Sequence, residues 1–146
     1  ILKSMLSVGH RIPKKDILIS SGPTRSKVEL LNSTRMLIEK GYTIYSTAGT
    51  AKFFKENGID TQILYWPDED KEPNIMEYLH DRKIDLVINI PKNHTKRELD
   101  NGYKIRRAAV DYNIPLITNA RLASAFIYAI CKVDPAEIAI KSWDEY

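Results

Sequence analysis

The chain has 146 residues, of which 43% are hydrophobic and 28% are charged, a composition typical of one globular domain rather than of a disordered or fibrous protein. No apolar run approaches the ~18–20 residues of a membrane helix, so a membrane-spanning role is excluded. The formal net charge is +3 and basic residues alternate with acidic ones, which argues against a nucleic-acid partner.

Residues 1–15 show no sustained periodicity and end in the basic stretch Pro13-Lys14-Lys15, a pattern typical of a linker. We therefore expect a linker, or the tail of a preceding domain, over 1–15 and one folded domain over 16–146. The sequence begins with Ile1 and lacks the pattern of a signal peptide, which predicts processing or excision from a longer protein.

Short apolar runs alternate with segments of helical periodicity along the rest of the sequence. In chain order the predicted elements are a strand over 16–21, a helix over 26–40, a strand over 42–46, a helix over 51–57, a strand over 61–65, a helix over 75–82, a strand over 84–90, a helix over 101–112, a strand over 114–118 and a helix over 120–132. Ser26, Asn74 and Asn119 are suited to cap helix starts, and Gly41 and Gly58 to end helices.

The last predicted helix carries Cys131, the single cysteine of the protein. No intramolecular disulfide can form, and the residue lies on an apolar face after Ile127. We therefore predict a reduced core thiol and a cytoplasmic protein.

The alternation of strands and helices predicts a doubly wound α/β fold of three layers, with a mainly five-stranded parallel sheet and helices on both faces. In such Rossmann-like sheets, ligands bind at the carboxyl ends of the strands. The segments to search are therefore the ones that follow strands, and they cover residues 20–27, 46–50, 65–70 and 89–101.

The segment Thr47-Ala48-Gly49-Thr50 lies at a predicted strand-to-helix junction. The first amide groups of a helix have no internal partner, and the helix dipole favours an anion there. Gly49 would let a ligand approach the backbone, and the two threonine hydroxyls would add donors. The alternative is that one threonine merely caps the helix.

Other polar side chains are predicted at the same edge of the sheet. Ser20 ends the first strand, and Lys27 in the next helix could bring an ammonium group to an anion or simply lie on the surface. Asn89 ends the most hydrophobic strand, and Asn101 either serves the same cleft or caps the next helix. Trp66 follows the third strand, where its ring could cover the core or stack on a ligand.

The sequence lacks the motifs of several kinds of functional site. The three histidines have no metal-ligand spacing, and the glycine patterns of dinucleotide, P-loop and serine hydrolase sites are missing. The acidic residues Asp68, Glu69, Asp70 and Glu72 are typical of a solvated loop more than of an acid/base pair. Arg106 and Arg107 could form ion pairs or face another protein. We therefore expect no metal and no catalytic residue.

Read together, SSGPTRSK, YSTAGTAKFF, LYWPDED, IDLVINIPKN, DNGYKIRRAAVDYNIPLITN and ASAFIYAICK resemble the methylglyoxal-synthase-like domain. They are most similar to the version at the C-terminus of the carbamoyl phosphate synthase large subunit, here expected to be bacterial. The resemblance implies a non-catalytic regulatory domain without a cofactor, within a ligase that uses ATP with Mg. The parent would make carbamoyl phosphate from bicarbonate, ATP and glutamine-derived ammonia for pyrimidine and arginine biosynthesis.

The resemblance also implies which residues bind the effector. Its anionic group would lie on Thr47 and Thr50 beside Lys27, and Asn89 and Asn101 would bind the remainder. The implied effectors are UMP, IMP or an N-acylated amino acid.

This sequence departs from both family patterns. Trp66 stands where members that respond to nucleotides carry lysine, although it matches members that respond to N-acetylglutamate. Lys92 stands where the latter carry an asparagine ligand, and Gly102 is inserted before YKIRR. Lys92 could supply charge near a phosphate, so the identity of the effector stays open.

The implied partners are the catalytic domains of the same polypeptide and the glutaminase small subunit. Two other functions stay open at this point. One is a free methylglyoxal synthase that acts on dihydroxyacetone phosphate, although the family's setting for the base after the third strand is missing. The other is a docking module that binds no small ligand.

Overall fold

The computed structural model describes residues 15–91 and 95–132, in which strands and helices alternate. The elements are β1 (Asp16–Ser21), α1 (Thr24–Glu39), β2 (Thr43–Ser46), α2 (Ala48–Glu56), β3 (Gln62–Ile63), α3 (Ile75–His80), β4 (Leu86–Ile90), α4 (Lys96–Asp111), β5 (Leu116–Ile117) and α5 (Ala120–Lys132). The predicted linker except Lys15, as well as Lys92 and the segment after Lys132, lies outside the described residues.

The five strands form one parallel sheet in the order β3-β2-β1-β4-β5, which confirms the predicted sheet. Strands β1 and β4 are adjacent in space although two strands separate them in sequence. In the register of this pair, Ser20 lies beside Asn89 and Ser21 beside Ile90. The direction of winding reverses here, and a ligand crevice is expected at such a reversal.

Apolar side chains cover both faces of the sheet, as the continuous hydrophobic strands predicted. On one face, Ile17 and Ile19 of β1 pack with residues of α1, α2 and α5, including Leu30, Phe54 and Phe126. On the other face, Leu18 packs with residues of α3 and α4, including Leu79 and Ile105. Successive side chains of β1 therefore enter different cores, and the three-layer architecture is confirmed.

Two predicted helix starts, at Ile75 and Ala120, are confirmed by their capping groups, whereas the helix predicted from 51 begins at Ala48. The side chains of Asn74 and Asn119 accept hydrogen bonds from the amides of Met76 at 2.9 Å and Leu122 at 3.0 Å. The predicted cap Ser26 is wrong, because α1 begins at Thr24 directly after Pro23. The proline ring holds its φ at −69°, a value that suits a helix start without a side-chain cap.

The start of α4 differs more from the prediction. The helix begins at Lys96, and the hydroxyl of Thr95 accepts a hydrogen bond from the amide of Glu98 at 3.1 Å. This is one half of a capping box, in which a threonine precedes a glutamate by three residues. Asn101, predicted as a possible cap, therefore lies inside the helix.

Cys131 is a free thiol that is 6% exposed, so the predicted core thiol is confirmed. Loss of hydration on burial raises the pKa of this thiol. No helix among the described residues has both the length and the apolar composition required to cross a bilayer.

We expect Phe54→Ala to lower the free energy of unfolding by about 3–5 kcal/mol, because the ring is 0% exposed and its loss leaves a cavity. Tyr103→Ala is the matched control on another helix. Its ring is 61% exposed, so the change should stay within about 0.5 kcal/mol. Urea unfolding measures both, and equal losses would contradict this account of the core.

Candidate functional site

A cavity of about 330 Å³ lies at the carboxyl ends of the strands, where β1 meets β4. Its walls come from β1, the starts of α1 and α2, the segment after β3, the end of β4 and the first half of α4. The predicted site residues that line it are Ser20, Lys27, Thr47, Gly49, Thr50, Trp66, Asn89 and Asn101. The structure thus brings these residues together, while Lys92 lies outside the described residues.

Three buried hydroxyl groups form the floor of the cavity. The Ser20 and Thr47 hydroxyls lie 3.0 Å apart, and Thr47 Oγ1 donates to Thr50 Oγ1 at 3.4 Å. Thr50 Oγ1 accepts from the Ser21 amide at 3.0 Å and donates to the Ser21 carbonyl at 3.2 Å. Thr50 therefore ties the first turn of α2 to the end of β1.

Thr47 takes the N-cap position of α2, but its side chain makes no capping hydrogen bond. Thr47 therefore holds the cap position through its backbone, while its hydroxyl bonds to Ser20 and Thr50 instead of to a helix amide. The first turn of α2 borders the cavity, and a Cβ built on Gly49 meets no atom within 4 Å. Open space above unpaired helix amides is the geometry that binds phosphate or carboxylate.

The half-buried Lys27 lines the same cavity from the first turn of α1. Two helix starts, those of α1 and α2, therefore border one space, and both carry positive partial charge. A lysine in this position adds a full positive charge to these dipoles.

Asn101 and Asn89 also line the cavity and are almost fully buried, at 2% and 4% exposure. Asn101 Oδ1 accepts a hydrogen bond from the Asp68 amide at 3.2 Å, whereas Asn101 Nδ2 is buried with no partner among the described residues. Asn89 Oδ1 accepts from Arg106 Nη1 at 2.9 Å. A buried amide donor without an acceptor is costly unless a ligand or water completes it.

Arg97 closes one side of the cavity through an ion-pair cluster. Its guanidinium donates to Asp68 from Nε at 2.6 Å and from Nη2 at 3.1 Å, and Nη2 lies 3.7 Å from Glu69 Oε1. It also stacks 5.1 Å from the centre of the Trp66 ring. Asp68, Asp70 and Glu72 are exposed and Glu69 is half-buried, so the loop is largely solvated as predicted, and the ion pairs with Arg97 are an addition to that prediction.

Trp66 covers part of the core, as one of the two predicted roles requires, and stacking on a ligand stays a prediction. Its half-buried ring packs against the core that includes Leu64, Ile75 and Leu79, and it also lines the cavity. Arg97 covers part of the ring, so a stacked cation already occupies one approach to this indole.

Sequence reasoning missed four residues of the site: Arg97, Glu98, Gly102 and Arg106. The first three line the cavity, and Arg106 holds Asn89. A Cβ at Gly102 would lie 2.9 Å from Arg106 Nη1, so the glycine leaves room for this side chain. The capping-box spacing from Thr95 to Glu98 could have located the true helix start and hence this face.

The other sequence candidates do not join the site. The described residues hold no group of acidic, histidine or cysteine side chains that could bind a metal. His80 pairs with Asp81 at the surface, at 3.1 Å, and His10 and His94 lie outside the described residues. Arg107 pairs with Asp111 on the exposed face of α4.

A family model described as "MGS-like domain" matches residues 29–118, which include four of the five strands and the cavity residues from Thr47 onward. The chain belongs to the MGS-like domain family. This membership confirms the resemblance found in the sequence, whereas a bacterial origin is not confirmed.

Relatives of this MGS-like domain are parts of much larger proteins. It is 42% identical over 138 residues to the "Multifunctional protein ura1" of Schizosaccharomyces pombe, covering 90% of this sequence and 6% of that protein. It is 37% identical over 143 residues to the "Carbamoyl phosphate synthase large chain, C-terminal section" of Methanocaldococcus jannaschii, covering 98% of this sequence and 23% of that protein. The domain is therefore homologous to the C-terminal section of the large subunit of carbamoyl phosphate synthase.

A solved structure shares the fold. The methylglyoxal synthase of Elizabethkingia anophelis superposes with a TM-score of 0.56 at 16% sequence identity, covering 80% of this domain and 79% of that protein. At this identity the likeness supports the fold alone, and it agrees with the predicted methylglyoxal-synthase-like architecture.

We expect Arg97→Gln to raise the pKa of Asp68 towards its ordinary value. The Arg97 hydrogen bond holds that pKa below the usual range, since it stabilises the ionised carboxylate. The ion pair should therefore be complete at neutral pH and be lost as the pH falls through the lowered pKa.

A carboxyl carbon NMR titration measures this pKa directly. Arg107→Gln is the matched control, because Arg107 pairs with Asp111 and not with Asp68. An Asp68 titration that is the same in Arg97→Gln and in the unaltered protein would contradict the cluster.

Proposed function

We propose that this MGS-like domain is the effector-binding regulatory domain of a carbamoyl phosphate synthase. In this proposal the domain is non-catalytic, and the rest of the protein is a cytoplasmic ligase that uses ATP with Mg and glutamine-derived ammonia. Its partners are the catalytic domains of the same polypeptide and a glutaminase subunit or domain. Homology to the C-terminal section of the large subunit supports this assignment.

One observation supports the proposal most directly. Polar groups suited to binding an anion converge in one cavity, to which we assign no catalytic role. The hydroxyl groups of Ser20 and Thr47, the uncapped first turn of α2 and the Lys27 side chain all border the same space. Charge-assisted hydrogen bonds from such donors are about twice as strong as neutral ones. A phosphate or carboxylate of the effector would bind here.

Further lining residues support binding of the remainder of the effector. The amides of Asn89 and Asn101 line the cavity, and the indole of Trp66 offers an apolar surface. A nucleoside monophosphate such as UMP or IMP, or an N-acylated amino acid, combines an anion with a planar polar group. Lys92, which we also expect to contact the effector, would add charge next to Pro91.

Regulation requires that the effector prefer one of two states of the whole protein. A coupling free energy of ~1–3 kcal/mol would change activity about 5–150-fold. A ligand that completes the hydrogen bonding of a buried side chain such as Asn101 supplies interactions of that size.

We expect Thr47→Ala to weaken effector binding by about 1–3 kcal/mol, because it removes a hydroxyl that contributes to the anion site. Thr47→Ser should restore most of the affinity, since it keeps the hydroxyl. Thr118→Ala is the matched control, because Thr118 is exposed and does not line the cavity.

Calorimetric titration with UMP, IMP, N-acetylglutamate and ornithine measures these affinities. Binding of at least one anion, weakened in Thr47→Ala alone, would support the proposal. Unchanged affinity in Thr47→Ala would contradict the proposed anion site. If no compound gives a heat of binding, the result would favour a docking module.

We expect no methylglyoxal from dihydroxyacetone phosphate in an enzymatic assay. Asp70 and Glu72, the acids considered as a base, are exposed and do not line the cavity. A general base must come within hydrogen-bond reach of the proton it removes. Turnover that is lost on changing either carboxylate would instead identify a lyase.

A further inference from the structure

Arg106 is a half-buried arginine of α4 whose hydrogen-bond partner is a neutral amide. Its Nη1 atom donates to Asn89 Oδ1 at 2.9 Å. The neighbouring Arg97 and Arg107 both pair with carboxylates, whereas Arg106 forms no ion pair with any residue of 15–91 or 95–132. A guanidinium bonds more strongly to a carboxylate than to a neutral amide. The position of Arg106 therefore points to a role in orienting Asn89 rather than in neutralising an acid.

The bond from Arg106 determines which way the Asn89 amide faces. In an asparagine side chain Oδ1 only accepts hydrogen bonds and Nδ2 only donates them, and a guanidinium has no acceptor at all. Arg106 can therefore bond to Oδ1 alone, which rules out the flipped orientation of the amide. Asn89 lines the cavity and is 4% exposed. The group that it can offer to a ligand is accordingly the Nδ2 donor.

Arg106 would act on a ligand through Asn89 and not by direct contact. The residues of α4 that line the cavity include Gly102 and Ile105 but not Arg106. A hydrogen bond accepted at one end of an amide polarises it, and its N–H groups become stronger donors. The positive charge behind Asn89 therefore favours an acceptor oxygen on the cavity side of this residue.

Gly102 provides the space that the Arg106 side chain needs. The two residues are four apart in α4, so they are neighbours on one helix face. A Cβ built on Gly102 lies 2.9 Å from Arg106 Nη1 and 3.8 Å from Asn89 Oδ1. Any side chain at this position would displace the tip of the arginine from the asparagine. Glycine is unfavourable inside a helix, so a close approach of this kind is a physical reason for its presence.

We propose that Arg106 is a positioning residue of the cavity, which holds the Asn89 amide so that Nδ2 donates to the ligand, and that Gly102 gives it the room to do so. This inference rests on the proposed function and deepens it. It assigns an acceptor oxygen to the part of the ligand that meets Asn89. The alternative is that Arg106 merely ties α4 to β4.

A double-mutant cycle tests the proposal. Calorimetric titration of the unaltered protein with UMP, IMP and N-acetyl-L-glutamate first identifies a compound that binds. Arg106→Ala should weaken that compound about 5–50-fold, the range of coupling between contacting residues. In an Asn89→Ala background the same substitution should change the affinity by no more than about 2-fold, because no amide is left to orient. Chemical-shift titration by NMR measures the weaker complexes.

Arg107→Ala is the matched control for the loss of an arginine. Arg107 is the next residue of α4, but it is exposed, pairs with Asp111 and does not line the cavity. Its removal should change the affinity by no more than about 2-fold.

Gly102→Ala tests the same proposal while the arginine is kept. The added methyl group should displace the guanidinium and weaken binding about as much as Arg106→Ala does. Combined with Arg106→Ala it should cause no further loss, which distinguishes displacement of Arg106 from a direct clash with the ligand. Alanine is favoured over glycine in a helix, so the midpoint of urea unfolding should not fall. This variant also provides the test should Arg106→Ala fail to fold.

Two results would overturn the role of Arg106 while leaving the anion site intact. One is an equal loss of affinity on Arg106→Ala with and without the Asn89 amide, and the other is no loss in either background. Absence of binding by every compound to the unaltered protein would overturn the proposed function and this inference with it.

Discussion

The parallel pairing of β1 with β4 is the constraint on which the site depends. It places the end of one strand, at Ser20, beside the end of another, at Asn89, although 69 residues of sequence separate them. The polypeptide leaves β1 for a helix on one face of the sheet and β4 for a helix on the other. The cavity is the space between the ends of these two strands. The strand order therefore determines the position of the cavity, whatever side chains line it.

The fold was predictable because the central strands β1 and β4 are nearly continuous buried runs, and such runs indicate a sheet buried on both faces. The same logic located Thr47, Asn89 and Trp66, since each lies at or directly after a strand end. The predicted start of α4 at Asn101 was wrong. The capping pair of Thr95 and Glu98 marks the true start of this helix at Lys96. The same logic also failed for Arg97, whose partner Asp68 is 29 residues away, because long-range ion pairs leave no local pattern.

The lining of the cavity combines positive and negative groups. Lys27 and Arg97 line it, and so do Glu69 and Glu98. The single charge of Arg97 offsets one of the two charges of Asp68 and Glu69, so the acids of the loop repel an incoming anion less than their number suggests. The atoms left incomplete, Asn101 Nδ2 and Glu98 Oε2, weaken folding to a degree that a ligand could recover, which is a common compromise at binding sites.

Helix α4 also extends from the cavity to the exposed surface of the domain. Its 16 residues form a rod about 24 Å long, with Glu98 and Asn101 towards one end and the solvent-exposed Val110 near the other. Because Arg97 and Asn101 both bond to Asp68, the cavity end of α4 and the loop after β3 form one connected wall.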